Sequence, residues 1–196
     1  MRGVNAQDPI ARLNDALSRA RAASPQDPTA AALATADARG RPSVRMVLVK
    51  AIEARGVSVF TNRDSRKARE LAANPWAAIV LHWPALAEQA RVEGAVAELS
   101  DAESDAYFAT RPRASQLGAW ASRQSEEIGS RAALEAQLAE VERRFEGGPV
   151  PRPPRWGGYL IVPEAIELWK EGAGRLHFRE RYEREAGGWR VKVLQP

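Results

Sequence analysis

The chain has 196 residues, of which 44% are hydrophobic and 28% charged, and its formal net charge is +4. This composition is typical of a globular protein, and the length predicts a single domain, residues 1–196. No apolar run reaches the roughly 18 residues that a membrane helix needs, and the first residues lack the apolar core of a secretory signal. Because there is no cysteine, disulfides and thiolate chemistry are excluded. We therefore expect a cytoplasmic protein with no membrane partner.

The positive charge is spread along the chain and interleaved with 25 acidic residues. A nucleic-acid-binding protein more often gathers its cations in one tail or stripe. The distribution favours a solvated surface or a small phosphate-bearing ligand, and we expect no nucleic-acid partner.

The first half of the chain predicts one helix and then mainly strands. Within residues 1–28, apolar side chains spaced by three and four predict a helix over residues 8–23. Residues 29–100 hold the main strands, and a short helix with Asp64 or Ser65 as its N-cap interrupts them. The first three strand segments, which predict an antiparallel meander, are "AALATAD", "SVRMVLVKAI" and "VSVFTN"; "WAAIVLHW" and "QARVEGAVAELS" follow the helix.

The second half predicts a helical segment and then closing strands. Residues 101–147 are helical in pattern, with a break at Pro112 because proline disfavours helical geometry in the residue before it. Residues 148–196 return to strands, namely "YLIVPEAIELW", "RLHFRERYERE" and "WRVKVLQP". Many short strands with clustered helices predict a mainly β fold with added helices (α+β), an antiparallel barrel or sandwich.

The stretch "GRLHFRERY" alternates in charge. If it is a strand, Arg175, His177, Arg179 and Arg181 share one face, because side chains two residues apart point the same way. Phe178 would then lie on the other face. On charge alone this row is a solvated strand edge.

Common catalytic motifs are absent from the sequence. It contains no P-loop, no G-x-G-x-x-G that opens a helix and no G-x-S-x-G nucleophile elbow. With only His82 and His177 and no cysteine, we expect no metal site. Any chemistry should therefore come from a bound organic cofactor.

Two cation pairs in the first half can be interpreted in two ways. Arg45 and Lys50 bracket an apolar strand and on pattern alone are surface charges. Arg66 and Lys67 begin a predicted helix, where free N–H groups and the helix dipole already favour an anion. Cations there are unfavourable unless a negative group is near, so a phosphate site is one interpretation and a solvated surface the other.

A second anion site is possible near Pro112. Tyr107 and Arg111 are four residues apart and share a helix face, and Ser115 lies in the first turn of the next helix. Together they could hold a phosphate, or they could be a packing tyrosine and two surface residues. Gln124, Ser125 and Trp169 carry little signal alone, and Trp169 would by default be core.

Several segments, in order, closely resemble the pyridoxamine 5'-phosphate oxidase family. They are "RMVLVK", "FTNRDSRKARELAANP", "YFATRPRASQLGAWASRQS", "WGGYLIVPEAIELW" and "RLHFR". The resemblance runs from about Asp8 to Pro196, and "RPRASQLGAWASRQS" is its most specific part. Phenazine-biosynthesis flavin oxidases share the fold and the "ASRQSE" and "RLH" pieces.

The resemblance implies a split β-barrel homodimer that binds FMN at the subunit interface. It also implies oxidation of pyridoxamine or pyridoxine 5'-phosphate to pyridoxal 5'-phosphate, with O2 as electron acceptor and H2O2 as product. The implied FMN-binding residues are Arg45, Met46, Val47, Leu48, Val49, Lys50, Phe60, Thr61, Arg66, Lys67, Gln89, Gln124, Ser125, Trp169 and Arg179. The implied substrate-binding residues are Lys50, Tyr107, Arg111, Ser115, Arg175 and His177, of which Arg175 and His177 are catalytic.

The sequence departs from the family at several positions. Phe178 replaces an acidic residue, Glu88 an arginine and Phe60 a tyrosine. We expect altered packing at Phe178 and weaker flavin affinity from Glu88. Nothing before Asp8 resembles the family's substrate-covering arm. These departures leave two alternatives open: a paralogous oxidase of another reduced ring, of the phenazine-biosynthesis type, or a non-catalytic FMN or pyridoxal-phosphate carrier.

Overall fold

A computed structural model describes residues 8–196. In this part of the chain the helices are α1 (Pro9–Ala23), α2 (Arg66–Ala73), α3 (Asp101–Ala109), α4 (Arg113–Ala121) and α5 (Arg131–Arg144). The strands are β1 (Ala30–Ala36), β2 (Pro42–Leu48), β3 (Ala51–Glu53), β4 (Gly56–Asn62), β5 (Trp76–Trp83), β6 (Glu88–Glu98), β7 (Trp156–Lys170), β8 (Phe178–Glu185) and β9 (Gly188–Val193).

The described strands form one antiparallel sheet. Its order is β2-β1-β5-β6-β7-β4-β3, with β8 paired to β7 and β9 paired to β8. The sheet curls, so that β2 at one edge contacts β4, the neighbour of β3 at the other edge. This curled half-barrel, with helices packed on it, confirms the predicted mainly β split-barrel fold.

The predicted meander is wrong in one respect. β2 pairs with β1 and β3 pairs with β4, but β2 and β3 are at opposite ends of the strand order. The predicted strand "SVRMVLVKAI" is broken at Val49, whose N–H donates to the Thr29 carbonyl at 2.9 Å. The N–H of Lys50 donates to the Ser58 carbonyl, also at 2.9 Å. These two hydrogen bonds fix the backbone where it crosses from one edge of the sheet to the other.

The predicted N-terminal helix is confirmed as α1. The Asp8 side chain caps it by accepting a hydrogen bond from the Ile10 N–H, and Pro9 occupies the first turn, where its missing N–H costs nothing. Leu13 and Ala16 are buried against the sheet. Burying a leucine side chain contributes about 2 kcal/mol, so this apolar face fixes α1 over the sheet.

The helical segment after Asp101 is also confirmed. Ser100 and Glu103 form a capping box at the start of α3, and Pro112 separates α3 from α4. A second, unpredicted break separates α4 from α5. Phe108 and Leu117, from α3 and α4, pack with Trp156 in a core cluster separate from that of the sheet. The helices thus close one side of the half-barrel.

The predicted cationic strand is only partly present. Ala173–Arg175 form a 3-10 turn, and β8 begins at Phe178. Gly174 and Arg175 have left-handed backbone angles, with φ of 62° and 65°, which a strand does not allow. Arg175 and His177 therefore do not continue the face of Arg179.

Two further expectations concern the chain termini and membranes. None of the helices in residues 8–196 is long and apolar enough to cross a bilayer. The segment before Asp8, where the family's arm would lie, is outside the described residues.

Candidate functional site

A cleft of about 590 Å³ lies beside β2, β4 and the N-terminus of α2, and the α3–α4 junction closes it. It brings together the two anion sites that the sequence suggested. The predicted site residues that line it are Arg45, Met46, Val47, Leu48, Lys50, Phe60, Thr61, Lys67, Tyr107, Arg111, Ser115, Gln124 and Ser125. Val49 is buried behind the cleft.

Lys67 is a buried cation without a carboxylate partner among residues 8–196. Its residue is 7% exposed, and its Nζ donates to Thr61 Oγ1 at 3.0 Å and to Gln124 Oε1 at 2.9 Å. Burial, together with the nearby Arg45 charge, lowers the pKa of Lys67 to about 8. A buried ammonium held only by neutral oxygens is in a favourable position to bind an anion.

The N-terminus of α2 points into the same region. Ser65 is its N-cap but its side chain makes no capping bond, which leaves N–H groups of the first turn available. The Arg66 N–H contacts Ser125 Oγ at 3.3 Å. Ser125 has a φ of 74°, a strained conformation for a serine of the kind that clusters at functional sites. The geometry thus groups the hydroxyls of Ser65 and Ser125, backbone N–H donors and the Lys67 ammonium at the start of α2.

Strand parity does not separate Arg45 from Lys50. Alternation would place side chains five residues apart on opposite faces of a continuous strand. However, β2 ends at Leu48, so Lys50 lies in the connection between β2 and β3 and does not obey the alternation of β2. Both residues line the cleft.

The second candidate anion site rests on an aromatic stack. The Phe60 ring stacks on Tyr107, with 4.1 Å between centroids, and on Trp156 at 5.3 Å. The Arg111 guanidinium lies 4.8 Å from the Trp156 ring centroid. Within residues 8–196 its buried Nη1 has no hydrogen-bond partner. Burial lowers the pKa of Arg111, with Tyr107 opposing the shift, so an incoming anion would satisfy both the orphan donor and the charge.

Five of the predicted residues form a second group away from this cleft. Sheet register places Gln89, Trp169 and Arg179 side by side across β6, β7 and β8. The His177 ring is 4.7 Å from the Trp169 ring, and Arg175 precedes it in the adjacent turn. Gln89 and Trp169 line a different cavity, beneath α1.

The two groups are far apart because they sit at opposite ends of β7. Trp156 beside the cleft and Trp169 in the second group belong to the same 15-residue strand. At about 3.3 Å per residue, a straight strand would separate them by at most roughly 43 Å, and the irregularity in the β6–β7 pairing and the curl of the sheet shorten this. One copy of the chain therefore does not bring all the predicted residues to one point.

Glu88 does not leave an uncompensated negative charge. Arg19 on α1 donates to both carboxylate oxygens of Glu88, at 3.1 and 2.8 Å, and Lys170 lies 3.4 Å from it. The Glu88 charge is thus paired within the chain, and the expectation of weaker flavin affinity from Glu88 stays a prediction. Phe178 is 68% exposed, so the expected repacking of its side chain is not seen within one chain.

Sequence reasoning missed three residues that hold the predicted ones. Glu70 contacts Arg45 and Arg66, and Trp156 supports Arg111. Glu167, which is 2% exposed, accepts a hydrogen bond from Arg179 Nε at 2.9 Å. Only the Arg66–Glu70 pair has a readable signal, an i,i+4 spacing of opposite charges on one helix.

Comparison with known proteins accounts for most of the chain. Residues 17–145 match the profile of the family described as pyridoxamine 5'-phosphate oxidase. The chain belongs to this family. Residues 156–196 match the pyridoxine 5'-phosphate oxidase C-terminal dimerisation region. This segment of the chain contains every residue of the second group except Gln89.

Similar proteins agree with this assignment. A pyridoxine/pyridoxamine 5'-phosphate oxidase of Anaeromyxobacter dehalogenans is 68% identical over 97% of this chain and 96% of its own length. Its counterpart from Myxococcus xanthus strain DK1622 is 51% identical over 96% of this chain and 92% of its own. Among solved structures, PhzG from Burkholderia lata 383, in complex with tetrahydrophenazine-1-carboxylic acid, has a TM-score of 0.92 at 38% identity, covering 98% of this chain and 94% of that one.

Proposed function

We propose that this chain is an FMN-dependent oxidase that converts pyridoxine and pyridoxamine 5'-phosphate to pyridoxal 5'-phosphate. The observation that carries the proposal is the cleft with two separate cationic side chains, Lys67 at the N-terminus of α2 and Arg111 at the α3–α4 junction. A phosphorylated cofactor and a phosphorylated substrate together require two such sites. The 68% identity to the Anaeromyxobacter enzyme over nearly the whole chain supports the same assignment.

The donor set suits the phosphate of FMN. Lys67, with only neutral oxygens around its Nζ in the described residues, would gain a charged partner, and Arg66 with Ser125 would add donors. When bound, FMN supplies the acceptor for two electrons from the C4' carbon of the substrate, and O2 then takes them to give H2O2. The protein itself binds, orients and excludes water.

The second anion site suits the substrate phosphate. Arg111 has its orphan Nη1 there, and Lys50, Tyr107 and Ser115 line the same part of the cleft. A phosphate held at this point would fix the substrate relative to the flavin. Holding the substrate in the reactive position beside the flavin lowers the activation free energy by several kcal/mol, so these residues should affect turnover as well as substrate affinity.

We propose that the site is completed by a second copy of the chain. Arg175 and His177, with Gln89, Trp169 and Arg179, are remote from the cleft of their own chain, and most of them lie in the segment that matches the dimerisation region. In a homodimer, Arg175 and His177 of one copy would face the pyridine ring bound by the other. Arg175 would orient the ring against the flavin and stabilise the negative charge that the flavin gains on accepting the hydride, an effect worth about 2–4 kcal/mol.

Absorption spectroscopy tests the proposal. Protein reconstituted with FMN should bleach when pyridoxine or pyridoxamine 5'-phosphate is added without O2, and it should consume O2 and release H2O2 in air. Flavin-loaded protein inert to both vitamers would contradict the proposed activity and would favour a non-catalytic carrier.

A second candidate function follows from the likeness to PhzG, at 38% identity. Its crystal structure contains tetrahydrophenazine-1-carboxylic acid, a reduced ring without phosphate. If the chain were such an oxidase, that compound would bleach the flavin and the B6 vitamers would not. The orphan donor of Arg111 favours the phosphorylated substrate.

The cytoplasmic location stays a prediction, which cell fractionation would check.

A further inference from the structure

Glu70 is a buried carboxylate that pairs with Arg45, a residue in the lining of the cleft. It lies on α2, one turn after Arg66, and is 6% exposed. Family resemblance gives it no role. A charged group buried to this extent costs several kcal/mol unless it is paired and hydrogen-bonded, so its contacts should explain why it is there.

Each carboxylate oxygen of Glu70 faces a different arginine. Oε1 accepts a hydrogen bond from Arg66 Nε at 2.8 Å. Oε2 accepts one from Arg45 Nη2 at 3.1 Å and another from Ser43 Oγ at 2.6 Å, and Thr35 Oγ1 also donates to it. Burial opposes ionisation, but these four hydrogen bonds lower the pKa of Glu70 to about 2. Glu70 is therefore a fixed negative charge that bridges two cations.

Arg45 is held in one position by these contacts. Its Nη1 donates to the Leu33 carbonyl at 3.1 Å and to Thr35 Oγ1 at 2.6 Å, while Nη2 reaches Glu70. The guanidinium is close enough to Lys67 to disfavour its charged form. Without a carboxylate between them, Arg45, Arg66 and Lys67 would repel one another before any anion arrived.

We propose that Glu70 is a positioning residue that holds Arg45 and Arg66 in place for the phosphate group of the flavin. This inference rests on the proposed function, because it takes FMN as the cofactor. It deepens that function by assigning to Glu70 the preference for phosphorylated over unphosphorylated flavin.

The proposal makes a prediction opposite in sign to simple electrostatics. Replacing Glu70 by neutral glutamine removes a negative charge beside an anion site, and Coulomb attraction alone would then bind FMN more tightly. If Glu70 positions the arginines, the amide NH2 of glutamine faces a guanidinium, the arginines shift and FMN binds more weakly. Riboflavin, which lacks the phosphate, should be unaffected.

The experiment measures the dissociation constants of FMN and riboflavin for full-length apoprotein by flavin fluorescence. For Glu70→Gln we expect the FMN constant to rise about tenfold, as for the loss of a charged hydrogen bond, with riboflavin unchanged. The matched control is Glu135→Gln on α5, where Glu135 forms an exposed pair with Arg131, and both constants should stay at wild-type values.

A second variant separates charge from position. Glu70→Asp keeps the charge but is one methylene shorter, so it cannot reach both arginines, and we expect the same selective loss of FMN affinity. The proposal would be overturned if FMN bound more tightly, or if the ratio of the FMN and riboflavin constants stayed unchanged in both variants, as it would on equal weakening of both. So would failure of both variants to fold, which would assign Glu70 to stability. Wild-type protein that does not bind FMN would instead overturn the proposed function itself.

Discussion

The protonation of Lys67 should make flavin affinity depend on pH. In the apoprotein its pKa is lowered from 10.5 to about 8, first by burial and then by the Arg45 charge. A bound phosphate would favour the charged ammonium and raise that pKa again. Affinity is therefore full only well below pH 8, where nearly all Lys67 side chains carry the proton, and falls as the pH rises through 8, because binding must then take up a proton.

The size of the effect follows from the two protonated fractions. About three quarters of apoprotein molecules carry the proton at about pH 7.5 and about one eleventh at about pH 9, so FMN affinity should fall roughly eightfold, or about 1.3 kcal/mol. Fluorescence titration of the apoprotein at several pH values measures this. In Lys67→Arg the guanidinium stays charged and the decline should disappear. A wild-type affinity that is flat over this range, or an equal decline in Lys67→Arg, would refute the reasoning.

The stability of the apoprotein should change in the opposite direction. The folded pKa of Lys67 is below its unfolded value, so between pH 8 and 10.5 the unfolded chain binds more protons. The contribution of this group to the free energy of unfolding therefore rises with pH in that window. The same lysine thus links weaker flavin binding to a more stable apoprotein.

Three other substitutions test separate parts of the structure. Arg19→Ala should lower the free energy of unfolding by about 1 kcal/mol in urea, because it breaks the bidentate pair with position 88, whereas Arg131→Ala, at an exposed pair, should change it little. Arg111→Met should raise the KM for pyridoxine 5'-phosphate about 30-fold without changing FMN affinity, and joint loss of both would contradict the division of the cleft. Gly94→Ala should cost at least about 2 kcal/mol, since its Cβ would lie 1.9 Å from a β7 carbonyl oxygen, while Gly118→Ala, with open space around it, should be neutral or stabilising by urea unfolding.

Local rules predicted much of the fold. Apolar spacing and an N-cap identified α1, and Pro112 marked the break between α3 and α4. These features depend on residues close in sequence, so they can be read from the chain. The order of the strands depends on contacts between distant segments, which explains why the predicted meander failed where Val49 and Lys50 cross between the sheet edges.

The candidate anion sites were only partly predictable. Two cations at the start of α2 indicated a phosphate site, because they oppose the helix dipole. Gln124 accepts a hydrogen bond from the buried Lys67 ammonium but is 57 residues away in the sequence, so no local pattern predicts this contact. The turn at Arg175 was missed for a similar reason: "RLHFRERY" alternates like a strand, and a left-handed arginine is uncommon enough that only neighbouring Gly174 hinted at it.

The placement of the two residue groups at opposite ends of β7 allows genetic complementation between defective subunits. A chain altered at Lys67 would still offer a sound Arg175, and a chain altered at Arg175 would still offer a sound cleft. When the two variants assemble at random, half the dimers are mixed, and each mixed dimer regains one working site of two. Mixing two inactive proteins under conditions of subunit exchange should thus restore about one quarter of wild-type turnover, provided that each site draws on both copies.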